Sequence, residues 1–285
     1  MTEETCMHTF QTPAPVRLRV EIPKGRIMVV AEETAETRVE LTAINGDAAT
    51  RAWIAEAEVT QSGDEIVVRV PKARLGLFGM GGSIEARVHA PLNSAATLST
   101  GAGRIETTGR LGAVDASSGS GTIRLDDSAS ARARTGSGDI TIAASAGSVE
   151  AKTGSGRITV GKVGADARIT TGSGQAELAE AAGDARLSTG SGDIEIGQAG
   201  DSLEAFAASG NVQVRRADHG RLRAKTISGQ VSIGVANGAA ALLDITTMSG
   251  RVNSHLETAG PPAEGEKYVE LIISTMSGNV NLSRA

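Results

Sequence analysis

Aromatic side chains are nearly missing from this sequence: one Trp, one Tyr and three Phe make up 2% of 285 residues. A chain of this length that manages without them needs a thin interior that aliphatic side chains can fill. Cysteine occurs once, at Cys6, so no internal disulfide can form. Positive charge is not in excess either. Twenty-eight Lys and Arg against 33 Asp and Glu leave a formal charge of −5. Without a basic stripe interleaved with aromatics, neither nucleic acid nor an anionic membrane surface is expected as a partner. No apolar run is long enough to span a bilayer. The opening Met1 to Met7 has no basic start and no apolar stretch, which fits neither a secretory signal nor a lipoprotein leader. The expected address is cytoplasmic, with export by a route that needs no N-terminal signal left open.

What the sequence does have is glycine, 36 residues of it, much of it periodic. Thr-Gly-Ser-Gly occurs at Thr135 to Gly138, Thr153 to Gly156, Thr171 to Gly174 and Thr189 to Gly192, at intervals of eighteen residues. Looser copies extend the series, with second glycines at Gly103, Gly121, Gly138, Gly156, Gly174, Gly192, Gly210, Gly229, Gly250 and Gly278. On both sides of each turn the residues alternate, as in Ala167-Arg168-Ile169-Thr170-Thr171 and Asp193-Ile194-Glu195-Ile196. Period-two alternation puts Ala, Leu, Val and Thr on one face of the first strand and Ile and Val on one face of the second. A single unit cannot bury that face alone. Copies stacked about 4.8 Å apart bury it continuously and pair their backbones in register. The expected fold is all-β, a parallel β-solenoid (a single-stranded β-helix) of 17–18-residue rungs, right-handed by the default for parallel crossovers. Later copies replace the first glycine with Ala208, Ile227, Met248 and Met276, whereas the second glycine never changes. The second position is therefore expected to need a positive φ or to be too crowded for a side chain.

Residues before about Val16 read as frayed, with Pro13 and Pro15 opposing regular pairing. Strands are expected at Val16 to Ile22, Thr37 to Ala43, Glu58 to Thr60, Glu65 to Val70 and Ile84 to Ala90. A short helix is expected within Asp47 to Glu56, its Trp53 facing inward. Residues 1–92 form an irregular β-rich N-terminal cap with the first wide turns, a separate small sandwich being the competing arrangement. Residues 93–285 form the solenoid, with an insertion at 257–267. Leu75, Leu77, Phe78 and Met80 lie in the one apolar glycine-rich loop, a candidate for partner contact. The last rung ends with Val280 and Leu282, so the cap there must come from the insertion or from a second copy of the chain, and a homodimer through this C-terminal edge is the corresponding expectation.

No constellation for catalysis emerges, and no cofactor or metal is expected. The residue after the second glycine alternates between acids, arginines and amides, which cannot form a ladder of calcium ligands. His8, His89, His219 and His255 share no ligand spacing. Outward charges Asp115, Arg132, Glu150, Arg168, Arg186, Glu204 and Arg223 should form a column that helps specify register. Glu177 and Glu195 should lie on adjacent rungs.

The Thr-Gly-Ser-Gly rungs, Gly25-Arg26-Ile27, the segment from Ser83 to Pro91 and the closing Thr275 to Val280 together resemble a bacterial domain-of-unknown-function family of β-strand-repeat proteins labelled "putative adhesin". That resemblance covers nearly the whole chain and implies a β-solenoid, with no family active-site residues to carry over. The functional expectation is a non-enzymatic scaffold that binds a protein partner or itself. The alternatives are a carbohydrate-active enzyme on a β-helix and a regulatory accessory of an envelope or transcription system.

Overall fold

The computed structural model describes residues 5–44, 48–71, 82–256 and 268–285. Two compact units, residues 1–146 and 147–285, are each built around parallel β-solenoid rungs. The loop carrying Leu75, Leu77, Phe78 and Met80 and the insertion at 257–267 lie outside the described residues.

In the N-terminal unit the strands are β1 (Thr5–Gln11), β2 (Arg17–Glu32), β3 (Glu36–Ala43), β4 (Glu58–Ser62), β5 (Glu65–Arg69), β6 (Ile84–Pro91), β7 (Ala95–Thr108), β8 (Arg110–Ser120), β9 (Ile123–Ser137) and β10 (Ile140–Ser145). Helix α1 (Ala48–Ala55) lies between β3 and β4. It buries Ile54, while Trp53 is half-buried. Strand β2 runs parallel to β7 on one side and to β5 and β6 on the other. Beyond that first rung the pairing changes direction: β4 joins β5, β3 joins β6 and β1 joins β3, all antiparallel. Val39 and Leu41 of β3 are fully buried by this addition. The expected fraying before Val16 is thus corrected, since β1 pairs over its whole length with β3. Pro13 and Pro15 fall in the connection after it, where a missing N–H costs no ladder bond.

The C-terminal unit contains β11 (Val149–Ser155), β12 (Ile158–Val163), β13 (Ala167–Ser173), β14 (Ala176–Ala181), β15 (Ala185–Ser191), β16 (Ile194–Ala199), β17 (Ser202–Ser209) and β18 (Val212–Ala217). It continues with β19 (Gly220–Ser228), β20 (Val231–Val235), β21 (Ala240–Ser249), β22 (Val252–Ser254), β23 (Tyr268–Ser277) and β24 (Val280–Arg284). Like residues stack: Ala167 lies beside Ala185, Ile169 beside Leu187 and Ile194 beside Val212. Alternation decides which side faces in, so Val149, Ala151 and Thr153 are buried while Lys152 between them is exposed. The inward threonine before each turn does more than fill space. Thr171 donates its hydroxyl to the Gly156 carbonyl at 3.2 Å, and Thr189 donates to Gly174 at 3.1 Å, so each hydroxyl joins one turn to the turn beneath it.

Stacking order departs from chain order at the last two copies. Strand β23 lies between β19 and β21, and β24 lies between β20 and β22. The C-terminal copy is therefore interior, and, among the described residues, 240–254 form the last rung of the stack. This corrects the expectation that Val280 and Leu282 mark the edge. Apolar content explains the exchange. Leu282 occupies the position where the other copy has Ser254, and the interior place buries Val269, Leu271, Ile273, Val280 and Leu282 on both sides. An ion pair of 2.6 Å between Arg221 and Glu270 fixes the returning strand, and the carboxylate's hydrogen bond and charge raise the pKa of the Arg221 guanidinium. Arg284 donates to the Ala236 and Ala239 carbonyls, which ties down the chain end.

Candidate binding surface

The ten second glycines are all at rung turns. Nine of them have φ between +135° and +158°, and the tenth, Gly103, is crowded by the Gly25 carbonyl. At Gly174, with φ +141°, an added Cβ would press into the Gly156 carbonyl oxygen of the neighbouring turn. These residues make the turns stack, and their role is architectural.

The polar files are largely satisfied by one another. Glu150 lies beside Arg168, and Glu204 lies between Arg186 and Arg223, while Arg168 and Arg186 set two like charges on adjacent rungs. Arg186 and Glu204 are 2.8 Å apart, as are Arg216 and Asp218. In the column after the second glycine, the Asp193 carboxylate accepts the Asn211 backbone N–H at 2.7 Å, and the Asn211 side-chain carbonyl accepts that of Gln230 at 2.9 Å. Their oxygens thus serve the next rung. Two of the histidines pair with single carboxylates, His89 with Glu32 at 3.1 Å and His219 with Asp201 at 3.0 Å. His8 lies 3.3 Å from the Cys6 sulfur and stacks on Phe10.

Glu177 and Glu195 do lie on adjacent rungs, over a shallow hollow of about 250 Å³ lined by Thr159, Gly161, Ala179, Gly197 and Arg215. Each carboxylate already has partners. Glu177 accepts the Thr159 hydroxyl at 3.2 Å, while Glu195 accepts the Gln175 amide at 2.9 Å and faces Arg215 at 3.4 Å. Both project from one strand file on one wall. A glycosidase needs its two carboxyl groups to flank the scissile bond.

Apolar exposure is concentrated elsewhere. Among the described residues ten large hydrophobic side chains are exposed, and seven of them, Ile227, Leu242, Leu243, Met248, Val252, Tyr268 and Met276, belong to the last three rungs of the C-terminal stack. They form two features. On the turn crest, Ile227, Met276 and Met248 occupy the first-glycine position of consecutive rungs, each next to in-register serines and threonines, and Met248 is 77% exposed. On the last rung, Leu243 and Val252 are 39% and 45% exposed, whereas Leu271 and Val280 beside them in the same files are fully buried. The second feature arises because, among the described residues, no strand pairs with the outer side of β21 or β22. Sequence reasoning missed the crest. Its signal was present in the replacement of the first glycine by Ile227, Met248 and Met276, and it was read only as tolerance.

Several solved structures are similar to the chain at low identity. A "putative adhesin" from Parabacteroides merdae ATCC 43184 is 11% identical, with 98% of this chain and 95% of that one covered at a TM-score of 0.49. Another, from Bacteroides fragilis NCTC 9343, is 10% identical over 100% and 98% of the two chains at 0.37. A "putative lipid binding protein" from Parabacteroides distasonis ATCC 8503 is 11% identical over 98% and 96% at 0.42. Likeness at this level assigns no ligand. No curated protein matches the chain. The Toastrack DUF4097 family model matches residues 17–283, so the chain belongs to that family.

Proposed function

We propose that the chain is a non-enzymatic binding scaffold whose docking surface is the last three rungs of the C-terminal unit. The observation that carries this reading is the gathering of exposed apolar side chains there, on a protein whose other described outward files are mostly polar. Rigid stacked strands hold the Ile227, Met276 and Met248 crest in place, so a partner meets a preformed ridge and little ordering entropy is lost. Contiguous exposed apolar surface of this kind marks interaction sites. The stacked Glu177 and Glu195 favour binding over hydrolysis, because both sit on one wall and are held by Thr159, Gln175 and Arg215.

The test compares the wild-type chain with Ile227→Lys/Met248→Lys/Met276→Lys, immobilised and exposed to extract from the source cells. Loss of captured protein from the triple variant, with its circular dichroism unchanged, is the expected result. Turnover of an acidic polysaccharide by the wild type, abolished by Glu177→Gln or Glu195→Gln, would replace the scaffold reading with the enzymatic one.

A further inference from the structure

We infer that the occupant of the last rung, open among the described residues, is a second copy of the chain, joined through β21 about a two-fold axis at Ile245. The inference rests on the scaffold reading and names the partner of that same surface. Three observations lead to it.

First, β21 is a ten-residue edge with a single charged residue, Asp244, and no proline. Native proteins normally blunt such an edge with charge, proline or a bulge. The register of β21 on β23 keeps one offset from Ala240 to Ser249, so no bulge turns it away.

Second, the backbone is set for pairing. Gly278 N–H donates to the Ser249 carbonyl at 2.9 Å, which turns Ser249 towards the stack. Alternation along a parallel ladder then turns Leu242, Asp244, Thr246 and Met248 towards the open side.

Third, the side chains are self-complementary in one antiparallel register. With Ile245 opposite its own copy, Leu243 meets Thr247 and the inward files of the two copies continue across the junction. Outward, Leu242, 58% exposed, meets Met248, 77% exposed, and Asp244 meets Thr246. Moving the axis by one residue to Asp244 would instead set two like charges face to face, which is destabilising. An isologous contact of this kind closes after two copies. A foreign strand would satisfy the same backbone groups, but nothing on β21 would then require Leu242 and Met248 to sit symmetrically about Ile245.

Sedimentation of the full chain over a range of concentrations reads the mass. The expected result is a dimer that Thr246→Pro converts to monomer, because the substitution removes an open-side N–H and leaves the bonds to β23 alone. Met248→Lys, which keeps the backbone intact, should do the same if Thr246→Pro disturbs folding. Register is read with Ile245→Cys in a Cys6→Ser background under a mild added oxidant. Opposed residues at a non-hydrogen-bonded antiparallel position lie about 4.5 Å apart at Cα, within disulfide range. The variant should link to its own copy, while Ile273→Cys, buried one rung inside, should not. A wild type that stays monomeric at every concentration overturns the second copy, and retained crest-dependent capture would then leave the scaffold reading standing. A dimer indifferent to Thr246→Pro and Met248→Lys, or one in which Ile245→Cys forms no disulfide between copies, also overturns it. Loss of both dimer and capture removes the scaffold reading as well.

Discussion

The first rung of the N-terminal unit and the last rung of the C-terminal unit face the same physical problem and meet it differently. A parallel stack leaves unpaired backbone and half-covered apolar files wherever it stops. In the N-terminal unit the chain covers them itself: antiparallel β3 and β4 take the open sides of β6 and β5, and Val39 and Leu41 close the interior. In the C-terminal unit the chain does the reverse. It lays down residues 240–254 and then returns beneath them, so the less apolar copy is left outermost with Leu243 and Val252 exposed. The same repeat thus ends in a finished surface in one unit and an unfinished one in the other. An unfinished end costs stability in isolation, a cost that the proposed second copy would remove.

The strongest way to break this comparison is to spoil a turn in each setting. Gly174→Val forces a β-branched residue into φ +141° against the Gly156 carbonyl. The strain and the displaced rung together should cost about 3 kcal/mol or more. Gly25→Val, where φ is +127° and the Ile84 carbonyl is in contact, should cost a similar amount. Gly250→Val meets the same clash against Gly278, but among the described residues its rung is held on one side only, so it should detach locally. Thermal unfolding should therefore show large losses for the first two and a small one for the third. Gly172→Ala should cost less than Gly174→Val, since Gly172 needs no positive φ and Ala208 and Ile227 occupy that position in later rungs, but its Cβ would meet the Gly154 carbonyl oxygen and the turn must shift to take it. Equal losses at Gly174, Gly25 and Gly250 would mean that the last rung is as firmly held as the rest.

A matched pair of truncations sharpens the contrast within one file. Leu271 and Leu243 are neighbours in register, one fully buried and the other 39% exposed. Leu271→Ala should cost about 2–5 kcal/mol by chemical denaturation, as large-to-small changes in cores do. Leu243→Ala should cost clearly less at low protein concentration. Its effect should grow with concentration if a second copy closes the rung, because association adds to apparent stability.

How much of this could be read from the sequence follows from the kind of signal each feature leaves. Stacking was legible because Ile140, Ile158 and Ile194 recur with a period of two inside a period of about eighteen, and only in-register parallel rungs put such residues in one buried file. The positive φ at Gly174 was legible because neighbouring copies varied where it did not. The pairing of β1 was hidden by Pro13 and Pro15, which speak about their own positions and say nothing of the residues before them. The exchange of the last two rungs was hidden for a different reason. It rests on a small difference in apolar content between two similar copies, Leu282 against Ser254, and periodicity is blind to the order in which equal periods stack. The apolar crest was visible as letters at Ile227, Met248 and Met276, but its continuity across rungs depends on that exchanged order.

The closed N-terminal arrangement also depends on a single hydroxyl. Ser94, fully buried, accepts the Val16 N–H at 3.0 Å and donates to the Pro91 carbonyl at 2.6 Å. It thereby joins the start of β2 to the turn between β6 and β7. Ser94→Ala leaves a buried donor unmet and should cost about 1–3 kcal/mol. Ser94→Cys, which keeps a weak acceptor, should recover part of the loss. Protection of the β2 amides in hydrogen exchange should fall with it, while the C-terminal rungs keep theirs.

The smallest expected effect concerns the exposed clamp on the same unit. Arg17 Nη2 and Nε reach the two Asp64 oxygens at 2.7 and 3.0 Å, and the Arg17 backbone N–H donates to the Asp64 carbonyl. These hydrogen bonds from the guanidinium hold the Asp64 carboxyl below its ordinary value of 3.8. A carboxylate whose pKa is lowered by folding adds stability that is complete above the unfolded value and is lost as pH falls through the folded one. The thermal midpoint of Asp64→Asn should therefore lie slightly below that of the wild type at neutral pH and converge with it as pH drops under about 3.8. Both side chains are more than 60% exposed, so added salt should narrow the neutral-pH gap as well. Because the clamp belongs to the finished surface and β21 to the unfinished one, Asp64→Asn should leave the sedimentation behaviour of the chain unchanged at every pH where it remains folded. A change in mass would mean that the first rung, too, takes part in association.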